Sequence, residues 1–239
     1  MKFIIFILSC FLFCFSISAQ STWMEAEYEI ALTDIKKFNE ETKQFKQDNI
    51  RFSSKAYELK ANSIFFKLTF NPTASFFNKI KTLNNDGDSR LNIVELLLTT
   101  NFVYSDVQTT LKKPKLKIFD NILIEVPKID WQIESGTKNI LGYKCSKAIG
   151  KYSVSTKDDI EEIIVIAWFT SQIPTPWGPD FYCGLPGLIF ELSTSQNLNY
   201  KLLNLNFNTK TDFKKPEGRV ISSNEYDDLV KKMRAKYNE

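Results

Sequence analysis

Acid–base chemistry near neutral pH most often depends on histidine, and this chain of 239 residues contains none. The absence excludes the Ser-His-Asp and Cys-His arrangements of nucleophilic catalysis. Carboxylate pairs remain as candidates, at Asp158-Asp159 with Glu161-Glu162 and at Asp227-Asp228. Their surroundings are typical of a polar turn and an exposed helix face, which favours solvated charges over a reaction centre. We therefore predict no catalytic residues and a non-enzymatic protein.

Metal binding finds equally little support in the sequence. The segment 84–88 resembles a calcium loop, but with Gly87 at the sixth loop position, Thr82 and Ile93 stand where Asp and Glu belong. A polar turn explains this segment better. Zinc would need imidazoles or more thiols than the two that lie beyond the N-terminal apolar segment. We expect neither a metal nor a cofactor.

The N-terminus predicts export from the cytoplasm. Lys2 supplies a positive charge, Phe3 to Phe15 is almost unbroken apolar sequence, and Ser16 to Ala19 offers small residues for cleavage before Gln20. This is the layout of a secretory signal peptide at residues 1–19, with an anchor helix or a lipoprotein signal as alternatives. We expect a periplasmic or secreted protein without a transmembrane segment in its mature form.

Size and charge indicate one domain without a nucleic-acid partner. The mature chain, residues 20–239, fits a single β-rich domain. Loss of Lys2 leaves 30 basic residues (31 − 1) against 28 acidic ones, a balance that gives no charge argument for nucleic acid. The basic cluster 112–117 is the local exception, and a solvated loop explains it better than a binding patch.

Two cysteines, Cys145 and Cys183, remain in the mature chain. An even pair in an exported protein favours a disulfide. The bridge would close a loop of 39 residues (183 − 145 + 1), a constraint that stabilises a fold by roughly 4 kcal/mol in the chain-entropy model. We predict this disulfide, with two buried free thiols as the alternative.

Most of the mature chain has the pattern of strands. Apolar residues alternate with other residues over 64–70, and the runs 140–149 and 163–170 flank a polar turn, which predicts a long hairpin with the second run as a central strand. In 198–207 the apolar phase flips between Leu202 and Leu203, which predicts a β-bulge or a strong bend. Further strands are predicted at 28–32, 102–104, 116–119 and 122–126, and from residue 131.

Two local motifs predict specific backbone features. Ser222 to Glu225 has the spacing of a capping box and predicts a C-terminal helix at about 222–237. The segment 184–189, Gly-Leu-Pro-Gly-Leu-Ile, predicts a turn that leads directly into a buried strand. We expect its two glycines to provide the turn and a close backbone approach, with Gly187 at positive φ.

Several blocks of this sequence, in this order and spacing, resemble the GLPGLI family of exported Gram-negative envelope proteins. The blocks are 63–71, 131–133, 137–148, 167–170 with the prolines at 174 and 179, and 184–189, so the resemblance covers most of the mature chain and is strong from about residue 60 to 194. The motif residues are Gly142, Tyr143, Cys145, Gly184, Leu185, Pro186, Gly187, Leu188 and Ile189. Cys183 departs from the family pattern.

The resemblance implies a fold but no established activity. It implies a mainly β (α+β) protein: a single curved antiparallel sheet, a half-open barrel similar to lipoprotein-carrier proteins, with a C-terminal helix. The concave face of such a sheet could hold a hydrophobic ligand or a protein segment, with Trp168, Phe169 and Trp177 as candidate lining residues. We therefore predict a binding module, or alternatively a structural accessory of an outer-membrane assembly or transporter. The sequence predicts no particular oligomeric state.

Overall fold

The computed structural model describes residues 23–32, 64–80, 101–155, 160–196 and 198–237. The predicted signal peptide, the polar turn at 84–88 and the Asp158-Asp159 pair lie outside these residues. Within them, the strands are β1 Trp23–Leu32, β2 Phe65–Phe70, β3 Ala74–Lys79, β4 Phe102–Asp106, β5 Thr110–Lys112, β6 Ile122–Glu125, β7 Asp130–Ile140, β8 Tyr143–Ser155, β9 Ile160–Thr170, β10 Leu188–Thr194, β11 Leu198–Thr209 and β12 Arg219–Ser222. A short 3-10 helix spans Lys117–Phe119, and helix α1 spans Ser223–Tyr237.

All twelve of these strands belong to one curved sheet that does not close on itself. Their order is β12-β6-β5-β4-β3-β2-β1-β11-β10-β9-β8-β7, so that β12 and β7 are its two ends. The predicted mainly β fold, with a single curved sheet and a C-terminal helix, is confirmed. One detail is wrong: the sheet is mixed rather than fully antiparallel, because β12 pairs with β6 in parallel.

The strand predictions hold where apolar residues are periodic. Strand β9 has five consecutive buried residues, Ile163 to Ala167, between β8 and β10, as predicted for a central strand. In the pairing of β1 with β11, Glu27 faces Asn204 and Tyr28 faces Leu202, so Leu203 is left without a partner. The predicted β-bulge is confirmed at the position where the apolar phase flips.

The predicted strand at 116–119 is wrong. Residues 117–119 form a 3-10 turn in which Phe119 N–H donates to Leu116 O at 3.0 Å. Leu116 and Ile118 are both exposed, so the apolar run does not bury a face against a neighbouring strand. Without such burial, a short apolar run has little reason to remain extended.

The C-terminal helix begins where its cap predicts. Ser222 Oγ accepts a hydrogen bond of 3.1 Å from Glu225 N–H, while the Glu225 carboxylate pairs with Arg219. One side of α1 packs through Tyr226 and Leu229 on a cluster from β6 and β12, Ile122, Ile124 and Ile221. The helix therefore covers the parallel end of the sheet, and its first turn lies at the edge of the cleft described below.

The segment between β9 and β10, residues 171–187, packs inside the curve of the sheet, and we call it the plug loop. Ile173, Trp177, Tyr182 and Leu185 of the plug loop are buried in the main hydrophobic cluster. That cluster also contains side chains from β1, β2, β3, β8 and β11. A segment that packs against strands so far apart in the sheet order must lie on the concave side. The chain thus fills much of its own concavity.

Candidate functional site

Hydrogen bonds fix the plug loop to the sheet at several points. Trp177 is buried, and its Nε1–H donates to Asn71 O, in the turn between β2 and β3, at 2.7 Å. Trp177 O accepts from Ile189 N–H at 2.9 Å, and Pro176 O accepts from Gly184 N–H at 2.8 Å. The loop therefore has a defined path and forms a fixed wall for what lies beside it.

The two glycines of segment 184–189 have different roles. Gly184 has φ +102°, a conformation that side chains other than glycine rarely adopt. Gly187 does not have positive φ, so the prediction for its backbone is wrong. Its role is close approach: a Cβ at Gly187 would lie 2.1 Å from Thr170 O. The predicted turn and close approach are present, with positive φ at Gly184 instead.

A cleft of about 490 Å³ lies beside the plug loop, on the open side of the sheet. One wall comes from the β5–β6 region and α1, and the opposite wall from β8 and β9, so the cleft separates regions near the two ends of the sheet. Aliphatic and aromatic side chains dominate its lining. Among them are Ile124, Tyr152, Val154, Phe181 and Tyr226.

Polar groups converge at the end of the cleft where Lys112 meets the plug loop. Asp180, at φ +52°, has a side chain only 9% exposed. Its Oδ2 accepts a hydrogen bond from Tyr200 O–H at 3.4 Å, and its Oδ1 lies 3.6 Å from Lys112 Nζ. Lys112 Nζ also lies 5.0 Å from the centre of the Phe181 ring. A buried carboxylate and a partly buried ammonium thus meet beside an aromatic ring.

Three tyrosines surround this pair. The hydroxyls of Tyr152 and Tyr182 lie 3.1 Å apart. Burial raises the pKa of Tyr152 to about 12, and burial is also the largest cause of the raised pKa of Tyr182 and of Tyr200. All three hydroxyls therefore stay protonated near neutral pH, and they can serve as hydrogen-bond donors or acceptors.

A second lysine lies near the same place. Burial, and then the positive charge of Lys112, lower the pKa of Lys115 to about 8, while the charge of Asp180 opposes the shift. The basic cluster 112–117, predicted to be a solvated loop, therefore places two of its lysines close to a buried carboxylate. The sequence did not predict that these lysines lie close to Asp180. The available signal was Asp180, the single charged residue of the plug loop.

Of the three aromatic residues predicted to line a ligand site on the concave face, Trp168 and Phe169 lie on β9 and Trp177 lies in the plug loop. Phe169 and Trp177 are 3% and 2% exposed and belong to the main hydrophobic cluster. Trp168 is half-buried, with Lys138 Nζ 4.4 Å from its ring centre. None of the three is part of the cleft lining.

The carboxylates considered as acid–base candidates are separated in the structure. Glu162 pairs with Lys151 at 3.2 Å. Asp227 lies on the α1 wall of the cleft, where burial raises its pKa. Among the described residues, no group of three or more His, Cys, Asp or Glu side chains is placed to hold a metal ion.

The predicted disulfide between Cys145 and Cys183 is absent from the structure, in which both thiols are free. Cys145 on β8 is buried in the main cluster, with Tyr143 O 3.7 Å from its Sγ. Cys183 in the plug loop points to β5, with its Sγ 3.5 Å from Thr110 Oγ1. Burial raises the pKa of both thiols, that of Cys145 to about 11, so neither has the character of a reactive thiolate.

No helix within the described ranges is long and apolar enough to cross a membrane. The fold and the site together define a protein with one curved, unclosed mixed sheet, filled by its own loop and bordered by an apolar cleft.

Comparison with known proteins connects the plug loop region to one family. Residues 155–191 match the model of a family described as "Protein of unknown function (Porph_ging)", and this span includes β9, the plug loop and the start of β10. No protein with a curated description matches the sequence.

Solved structures similar to this chain include two described as "Structure of PNGF-II in C2 space group" and "Structure of PNGF-II in P21 space group". Each has a TM-score of 0.49 and 12% sequence identity, and each match covers 87% of this chain. The matches cover 32% and 33% of those chains, so this chain spans about a third of their length.

Proposed function

We propose that this protein is a non-enzymatic binding module that holds a small hydrophobic ligand in the cleft beside the plug loop. The observation that carries the proposal is the cleft itself. Its volume of about 490 Å³ lies in the range of ligand pockets, and it combines apolar walls with a few polar groups at one end. These are the properties of a site that takes up an apolar body and orients it.

The position of the plug loop supports the cleft over the concave face as the binding site. Trp177 and Leu185 already occupy apolar space inside the curve of the sheet, and both are buried. A ligand on the concave face would have to displace them and break the hydrogen bond from Trp177 to Asn71. The cleft needs no such displacement, because its walls are already separated.

We further infer that the chain is an exported member of the GLPGLI family that works in the periplasm or outside the cell. The match to the Porph_ging model over 155–191 contains the segment 184–189, Gly-Leu-Pro-Gly-Leu-Ile, and residues 1–19 have signal-peptide composition. Expressed from the full sequence in a Gram-negative host, the protein recovered outside the inner membrane should have the intact mass of residues 20–239. Cytoplasmic protein that keeps residues 1–19 would contradict export.

Filling the cleft should abolish ligand binding. Val154→Trp places a large ring on the β8 wall, where Val154 is half-buried. We expect the affinity for the neutral fluorescent probe N-phenyl-1-naphthylamine to fall at least about tenfold, since the probe and the new ring compete for the same apolar space. Fluorescence titration of the purified protein measures this affinity.

The matched control is Val107→Trp. Val107 lies in the turn between β4 and β5, is 68% exposed and is not part of the cleft lining. The affinity of the Val107→Trp variant for the probe should equal that of the unmodified protein. Equal affinities of both variants and the unmodified protein would place the probe outside the cleft, and no binding to the unmodified protein would reject the binding module.

A further inference from the structure

We infer that the ligand is a single-chain amphiphile with an anionic head group, which Lys112 binds at the plug-loop end of the cleft. This inference rests on the proposed function and adds the chemical class of the ligand. Three features carry it: the hydrogen-bonding state of Lys112, the charges around it, and the apolar walls that continue from it.

Lys112 has donors that the protein does not use. Its side chain is 27% exposed and lines the cleft. The distance of 3.6 Å from its Nζ to Asp180 Oδ1 is too long for a good hydrogen bond, and Nζ donates to no other residue that the structure describes. An ammonium group has three N–H donors, and each of them pairs with an acceptor where one is in reach. A ligand oxygen in the cleft would supply them.

The charges around Lys112 favour an anionic oxygen over a neutral one. Asp180 is the carboxylate that faces Lys112, and the 3.6 Å between Asp180 Oδ1 and Lys112 Nζ makes this a loose ion pair. Asp180 also accepts from Tyr200, so its negative charge is shared between two partners. A carboxylate or phosphate at Lys112 would accept charge-assisted hydrogen bonds from its ammonium group.

The remaining titratable groups of the cleft do not change this preference. Tyr152 stays protonated, since burial raises its pKa to about 12. Asp227 lies on the α1 wall, where the charges of Lys231 and Asp228 act on its pKa in opposite directions. A cationic head group at Lys112 would face the ammonium group of that lysine.

Apolar walls next to Lys112 are suited to the tail of such a ligand. Phe181 packs beside the ammonium, and Ile124, Val154 and Tyr226 line the cleft. An alkyl chain whose head lies at Lys112 would therefore leave water along its length, and the burial of its CH₂ groups would stabilise the complex.

Ligands with one tail and different heads test the inference. Decanoate, 1-decanol and decylammonium would each displace N-phenyl-1-naphthylamine from the full-length mature protein at pH 7.5, where the carboxyl group is ionised. We expect decanoate to bind about tenfold more tightly than decanol, and decylammonium to bind more weakly than decanol. Decyl phosphate distinguishes a carboxylate head from a phosphate head, and a preference for either anion over decanol supports the inference.

Variants of Lys112 assign the preference to this residue. Lys112→Met keeps an unbranched stem and should remove the preference for decanoate over decanol, whereas Lys112→Arg should keep it. Lys201→Met, at an exposed lysine of β11, is the control and should change nothing. Thermal unfolding of each variant checks that it is folded. The comparison of head groups on the unmodified protein does not depend on any variant.

Failure of this inference can be told apart from failure of the binding module. Equal affinities for decanoate, decanol and decylammonium would overturn the anionic head group and leave the apolar cleft as the binding site. A preference for decanoate that persists in Lys112→Met would also overturn it. Absence of binding by all four amphiphiles and by the probe would reject both proposals.

Discussion

Replacing Gly187 with alanine should destabilise the folded protein by about 3 kcal/mol, a large effect for one added methyl group. The added Cβ would lie 2.1 Å from Thr170 O, 2.5 Å from its carbonyl carbon and 2.9 Å from Ser171 N. These are backbone atoms at the end of β9, so relief requires that the plug loop and the central strand move apart. Urea unfolding measures the loss as a lower midpoint at an unchanged m value.

The same substitution at Gly142 is the matched control. Gly142 lies in the two-residue turn between β7 and β8 at φ +84°, and an added Cβ there would meet no atom within 4 Å. Gly142→Ala should cost about 1 kcal/mol, the usual cost of a side chain at positive φ. A loss at Gly187 no greater than the loss at Gly142 would contradict the close approach of its backbone to Thr170.

Removing the side chain of Trp177 should cost about 4 kcal/mol, because a fully buried aromatic side chain leaves a large cavity. Trp177 is 2% exposed and is the largest fully buried side chain of the described residues. Trp177→Phe should cost less than Trp177→Ala, about 1–3 kcal/mol, since it keeps a ring but removes the donor to Asn71 O. Urea unfolding of both variants gives the two contributions.

Trp168→Ala is the control for Trp177→Ala. Trp168 is half-buried on strand β9, where it packs against the edge of the main hydrophobic cluster and Lys138 Nζ lies 4.4 Å from its ring centre. Its removal should cost clearly less than removal of Trp177, because part of its surface is already in water. Equal losses at the two positions would contradict the role of Trp177 as the centre of the plug loop.

Local sequence patterns predict the elements of this fold well when burial enforces them. The period of two in β2, the apolar run in β9 and the phase flip at Leu203 each report which side of a strand faces the core. Ser222 predicts the start of α1 because a cap hydrogen bond depends on residues three positions apart. These features involve near neighbours in sequence or one buried face.

The predicted strand and the predicted disulfide that the structure lacks depend on contacts that a local sequence pattern does not report. The run 116–119 has three apolar residues around Lys117 but buries no strand face, so composition alone predicts the wrong element. The proposed disulfide fails because Cys145 packs within the sheet while Cys183 points from the plug loop to β5. A count of cysteines shows that their number is even and that an oxidising compartment would favour a bond. It does not show whether the two residues lie within bonding distance.

The cleft and its polar end could not be predicted from the sequence, because their residues come from distant parts of the chain. Lys112 on β5 and Asp180 in the plug loop are 68 positions apart (180 − 112), and they meet because the curved sheet brings β5 towards the loop. The aromatic residues that do stand out in sequence, Phe169 and Trp177, fill the concavity instead. Because these side chains occupy the concave face, the space for a ligand lies in the cleft beside the plug loop.

The location of a bound alkyl chain tests this account most directly. A crystal structure of the protein soaked with 10-bromo-1-decanol would locate the bromine by its anomalous scattering, and the neutral head group makes the test independent of Lys112. We predict a bromine peak in the cleft, between Val154 and Tyr226, with Trp177 still bonded to Asn71. A peak on the concave face of the sheet, with the plug loop displaced, would contradict the account.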